Sequence, residues 1–145
     1  MKQKMKLRGV ILLMAFSLFG LVSCEKYDDR EIIENTFTGN IDVTSGGQDP
    51  AGDFTGNHDS GTFSFAWKNP QSRASANFDI TTTTGSVQMI VEDDKGTVVL
   101  DKTRSVGGND TFSGVSDAGE SGLWTVTLIL TDFNGDGSYS LHPGS

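Results

Sequence analysis

From Gly61 onward, apolar and polar side chains alternate with a period of two, and no stretch after Glu25 carries a helical period. Phe63, Phe65 and Trp67 alternate with Ser64, Ala66 and Lys68; Ala74, Ala76, Phe78 and Ile80 alternate with Ser75, Asn77 and Asp79. Val87, Met89 and Val91 follow, then Val98 and Leu100, then Trp124, Val126, Leu128 and Leu130, and finally Tyr139 and Leu141. Successive strand side chains point to opposite faces, so this pattern describes strands buried on one side. It predicts seven or eight short strands in an all-β, two-sheet antiparallel β-sandwich of jelly-roll type.

Turn chemistry divides the strands. Asn69-Pro70 ends one run, and Asp93-Asp94-Lys95-Gly96 reads as a hairpin turn. Residues 36–44 read as a first strand and residues 45–61, rich in Gly, Asp and Asn, as loop. Phe37-Thr38-Gly39-Asn40-Ile41-Asp42 nearly recurs as Phe54-Thr55-Gly56-Asn57-His58-Asp59. That period is shorter than repeat architectures use, so the recurrence reads as a local duplication or coincidence.

The amino-terminal part has a different character. Lys2, Lys4, Lys6 and Arg8 precede an apolar run from Val10 to Phe19, broken only by Ser17. A basic head, a short apolar run and small residues before a cleavage point are the parts of a secretory leader. The run is shorter than the roughly 20 residues that a membrane-spanning helix needs. Leu21-Val22-Ser23-Cys24 resembles the lipobox of bacterial lipoproteins, which implies cleavage after Ser23 and acylation of Cys24. The chain has 1 Cys, so no intramolecular disulfide is possible and the lipid consumes the thiol. The following Glu25-Lys26-Tyr27-Asp28-Asp29 resembles the surface-export signal of Bacteroidota-type lipoproteins, which implies an outer-membrane, lipid-anchored protein exposed at the cell surface. The domain expectation is therefore a leader over 1–23, a tether over 24–35 and a β-sandwich over 36–145, best defined over 61–142.

Four of the 11 Lys and Arg lie in the leader, so the remainder carries 7 against 19 Asp and Glu, a net charge of −12. A surface of that sign repels phosphate backbones and excludes nucleic acid as a partner.

From Asp53 to Leu141 the chain resembles the bacterial pre-peptidase C-terminal domain, and in its last strands the proprotein-convertase P domain. The resemblance is carried by Phe63-Ser64-Phe65, by Val87 to Asp93 before Gly96-Thr97-Val98, by Gly122-Leu123-Trp124-Thr125-Val126, and by Gly137-Ser138-Tyr139-Ser140-Leu141. It implies a small jelly-roll sandwich and an accessory role beside secreted enzymes.

Three segments bear on chemistry. Asp132-Phe133-Asn134-Gly135-Asp136-Gly137 fits the first half of a calcium loop, with Asp132, Asn134 and Asp136 as oxygen ligands for Ca²⁺. The twelfth position, where such loops place a bidentate Glu, is Pro143, and the competing reading is a hairpin turn between strands at 123–131 and 138–141. Asp49, Asp53 and Asp59 are candidates for the missing ligands. Gly119-Glu120-Ser121-Gly122 resembles the nucleophile segment of trypsin-like proteases, but neither His58 nor His142 stands in a matching context. The two His offer no zinc-ligand spacing either. Trp67, at the end of its strand, is the candidate sugar-stacking platform, although its parity with Phe63 and Phe65 also fits the core.

These features point to a non-enzymatic binding or accessory module of the cell envelope, with a polysaccharide or an envelope protein as partner. The rival is a calcium-stabilised structural subunit of an outer-membrane assembly.

Overall fold

The computed structural model describes residues 31–44, 49–107 and 110–144. Its strands are β1 (Ile32–Asn35), β2 (Asn40–Ile41), β3 (Ala51–Asn69), β4 (Arg73–Glu92), β5 (Val98–Ser105), β6 (Thr111–Val115) and β7 (Gly122–Gly144). All pairings are antiparallel, and there is no helix among the described residues.

Three strands dominate: β3 has 19 residues, β4 has 20 and β7 has 23. At about 3.3 Å per residue each would exceed 60 Å if straight, too long for a domain of this size. They bend instead, at one common level. The register breaks between Gly56 and Gly61 in β3 and between Thr82 and Ser86 in β4, both opposite the stretch from Thr131 to Gly135 of β7. Gly85 supplies a left-handed φ of 86° at this corner, where its α-carbon lies against the backbone carbonyls of Thr131 and Asp132 and leaves no room for a side chain. His58 and Asp132, at φ 56° and 44°, also lie at the corner and are the only non-glycine residues with positive φ among those described.

The bend divides one continuous hydrogen-bonded sheet into two five-stranded layers. The first runs β2-β3-β7-β4-β6, using residues 51–56, 135–144 and 73–82 of the long strands; the second runs β1-β3-β7-β4-β5, using residues 61–69, 122–131 and 86–92. Their apolar faces meet in a single core. Phe54, Phe78, Tyr139 and Leu141 come from the first layer; Phe65, Met89, Trp124 and Leu128 come from the second. The Phe65 and Tyr139 rings lie 5.9 Å apart between the layers, and Phe54 and Phe133 close the bend at 5.3 Å. Trp67 and Trp124 meet edge-to-face at 6.0 Å near the open end, and the Trp124 indole N–H donates to the Glu120 carbonyl at 2.7 Å.

The all-β sandwich expected from the alternation is present, with three changes. Residues 51–60, expected as loop, form the first half of β3, because pairing to β2 and β7 outweighs the weak strand propensity of Gly, Asp and Asn. The expected hairpin turn between 123–131 and 138–141 does not exist; both runs belong to β7, which bends between them. The expected first strand over 36–44 is interrupted. Only Asn40 and Ile41 are strand, while β1 lies earlier, inside the stretch expected to be a tether. The leader, Cys24 and the tether up to Arg30 lie outside the described residues.

Candidate functional site

The outer surface of the first layer is polar across all five strands, and its register can be followed row by row. In one row Asp42, Asp53, Ser138, Asp79 and Thr111 stand side by side, linked by the Asp42 N–H to Asp53 carbonyl bond and the β3–β7–β4–β6 pairings. The next row toward the corner holds Asn40, Thr55, Asp136 and Thr81. The row on the other side holds Ala51, Ser140, Asn77 and Ser113. Alternation puts Phe54, Phe78, Ile80 and Tyr139, which separate these residues in sequence, into the core. The same period that builds the core therefore builds the polar face.

Two shallow depressions run over this face. One, of about 300 Å³, is lined by Asp42, Asp53, Asn77, Asp79, Ser138 and Ser140 among others. The adjoining one, of about 410 Å³, includes Thr55, Thr81 and Asp136. Asp42 is fixed at the rim: its carboxylate accepts the Asp53 N–H at 2.8 Å and its carbonyl accepts the Tyr139 hydroxyl at 2.7 Å. The side chains of Asp53, Thr55, Asn77, Asp79, Thr81, Asp136, Ser138 and Ser140 form no hydrogen bond or ion pair with another described residue. The outer face of the second layer contrasts with this. There the Ser64 and Thr127 hydroxyls pair at 3.0 Å, and the Gln88 amide donates to Asp101 at 2.8 Å.

The remaining sequence candidates lie elsewhere. Trp67 is only 2% exposed, buried against Trp124, so it cannot stack on a sugar; its parity with Phe63 and Phe65 outweighs its place at the strand end. Asp132, Asn134 and Asp136 do not close into a calcium loop, because they occupy the bent middle of a strand. The Asp132 carboxylate pairs with His58 Nδ1 at 2.9 Å, the Asn134 amide donates to the Thr83 hydroxyl at 2.8 Å, and Asp136 lies between Thr55 and Thr81. Among the described residues, no three His, Cys, Asp or Glu side chains are grouped to hold a metal ion. Of the reserve ligands, Asp49 pairs with His142 at 2.8 Å near the open end, and Asp59 sits at the corner. Asp59 accepts the Asn57 N–H and the Thr38 hydroxyl; these bonds, the first being the larger, with nearby His58, hold its pKa below the usual carboxylate value. Ser121 precedes β7 at the open end, whereas His58 lies at the corner, so the two do not meet as a nucleophile and base.

No family model matches the chain, and no curated protein matches it. Solved structures similar to it include a CBM4 carbohydrate-binding module, at 12% identity over 81% of this chain and 88% of that one, with a TM-score of 0.46. A carbohydrate-binding module solved with β-1,4-galactotriose is similar at 15% identity over 74% of this chain and 87% of that one, TM-score 0.42. The chain spans only 23% of an arabinose-bound α-L-arabinofuranosidase, at 14% identity over 79% of this chain and TM-score 0.42. Likeness at this level carries no argument about a ligand. The class defined by the chain's own pairing is an antiparallel two-layer β-sandwich with one polar, uncommitted outer face.

Proposed function

We propose that this chain is a non-enzymatic, glycan-binding β-sandwich module, held at the outer membrane through a lipid on Cys24. The observation that carries the glycan reading is the row-by-row grid of carboxylate, amide and hydroxyl groups over the first layer, whose central side chains, Asp53, Asn77, Asp79 and Asp136 among them, bond to no other described residue. Sugar hydroxyls both donate and accept, and carboxylates are strong acceptors for them. A broad, shallow depression suits an extended oligosaccharide lying across the strands better than a small, enclosed substrate. The envelope location rests on the leader and on Leu21-Val22-Ser23-Cys24.

The test is affinity electrophoresis against a panel of soluble polysaccharides. Retardation by at least one glycan is expected, with apparent affinity falling roughly tenfold or more in Asp79→Ala and Asn77→Ala, as loss of charge-assisted or amide hydrogen bonds does. Gln88→Ala, on the opposite outer face, should leave binding unchanged. No retardation by any glycan, or equal loss in all three variants, defeats the reading. Fatty-acid labelling that persists in Cys24→Ser defeats the anchor.

A further inference from the structure

We propose that Arg104 and Lys102 form an anion subsite at the β6 end of the polar face, taking an acidic substituent (carboxylate, sulfate or phosphate) of the glycan; the inference rests on the glycan reading of that face. Strand pairing fixes the position. Asp79 stands opposite Thr111, and the Ile80 N–H donates to the Asp110 carbonyl at 2.9 Å. Backbone groups alternate in direction along a strand, so the Thr111 carbonyl turns away from β4, to the free edge of β6. There it accepts the Arg104 Nε–H at 2.8 Å. The guanidinium therefore continues the row Asp42, Asp53, Ser138, Asp79 and Thr111 by one further place. It ends in a cation a row that otherwise carries carboxylates, and no basic side chain lines either depression.

Arg104 is held before any ligand arrives. Its Nε and Nη1 donate to the carbonyls of Thr111 and Thr103, both at 2.8 Å, while its Nη2 bonds to no other described residue. The guanidinium lies 5.2 Å from the Phe112 ring centre and 5.9 Å from that of Phe78. Stacking on rings fixes its plane and strips water from one side of the charge. The Lys102 ammonium, two residues back on the same side of β5, lies 5.7 Å from the same Phe112 ring. Neither cation pairs with a described carboxylate. The neighbouring acids are occupied elsewhere: Asp101 accepts the Gln88 amide on the second layer, and Asp110 accepts the Thr111 hydroxyl at 3.4 Å.

Both side chains take core-side parity, opposite Met89 and Val87, and inward-pointing charge also protects an edge strand from further pairing. Edge protection needs only the charge. It gives no reason for a guanidinium tied to two carbonyls at the end of the polar row. The carboxylates of the row repel a polyanion along their length, and the cations accept an acidic group at one end. That arrangement fits a mainly neutral glycan with sparse acidic branches or an acidic terminus, and it sets the direction in which the glycan lies.

The experiment is an NMR titration of the isotope-labelled full chain in detergent with glucuronate, a sulfated glucose and a phosphorylated glucose, with glucose as the neutral control, at fixed ionic strength. Saturable shifts of the Arg104 Nε–H and the Thr111 amide are expected with at least one anion and not with glucose, and the three arms tell carboxylate from sulfate and phosphate. Apparent affinity should fall at least about tenfold in Arg104→Gln, as loss of charge-assisted hydrogen bonds does, and by less in Lys102→Gln. Unchanged resonances away from β5 and β6 verify that each variant is folded. Shifts that never saturate, equal shifts with glucose, or unchanged affinity in both variants overturn the proposal. Self-association of the variants with an unchanged titration reduces the pair to edge protection and overturns it too. No polysaccharide enters the titration, so its failure and an absence of glycan retardation are distinct results.

Discussion

Trp124 and Thr125 are adjacent in β7 and meet opposite environments, one fully buried and the other half-exposed on the outer face. Trp124→Ala should destabilise by about 3–5 kcal/mol, as deletion of a large core aromatic does, while Thr125→Ala should cost well under half of that. Equal midpoints in denaturant melts would contradict this register. Asp93 provides a pH-dependent counterpart. Its carboxylate accepts the N–H groups of Glu120, Thr97 and Lys95. These bonds, Glu120 first, hold its pKa below the ordinary 3.8. A depressed folded value means that the ionised form favours folding: the contribution is present above 3.8 and is lost as pH falls through the lower folded value. Asp93→Asn should therefore lower stability at neutral pH and flatten the decline below about pH 4, read from melts across pH. Of these residues, Trp124 was legible from parity alone. Trp67 had the same parity, but only the long-range contact with Trp124 shows that its ring is covered. Asp93 was legible as a turn residue, while its bond from Glu120 depends on a segment far along the chain.

The long strands show where sequence pattern gives out. Alternation marked residues 74–80, 87–91 and 124–130 correctly, because each lies within one layer and keeps one face inward; in 63–67 it placed Phe63, Phe65 and Trp67 rightly, but Ser64 and Ala66 on the other face are buried as well. At the corner, phase is lost in all three strands together, and Gly, Asn and Asp there read as turns. They do change direction, but they keep their hydrogen bonds to neighbouring strands, which no local signal reveals. Gly85 at the corner and Gly96 in the turn between β4 and β5 separate conformation from space. Both have left-handed φ, 86° and 77°, yet a methyl on Gly96 meets nothing within 4 Å whereas one on Gly85 collides with backbone carbonyls. Gly96→Ala should cost about 1–2 kcal/mol from backbone strain alone. Gly85→Ala should cost clearly more, and similar losses in thermal melts would mean that the corner is looser than described. The candidate face was equally hidden: Asp53, Asp79 and Asp136 belong to three distant stretches, and only strand register places them in adjacent rows.

At the scale of the whole molecule, charge and cation response can be separated. The chain carries a net −8, and screening by any divalent salt relieves repulsion among its carboxylates. With Asp132 on His58 and Asn134 on Thr83, calcium and magnesium should raise the melting temperature equally at fixed ionic strength. A calcium-specific rise that disappears in Asp132→Ala would restore a dedicated site. The sharing of β3, β4 and β7 between both layers has a consequence for how the molecule comes apart. In a sandwich whose layers own separate strands, one layer can loosen while the other persists. Here each long strand is a girder common to both, so freeing one end of β7 strips the centre from the other layer as well. Backbone circular dichroism and fluorescence of the Trp67–Trp124 pair should then follow one coincident transition, and amides in both halves of β7 should exchange through the same global opening.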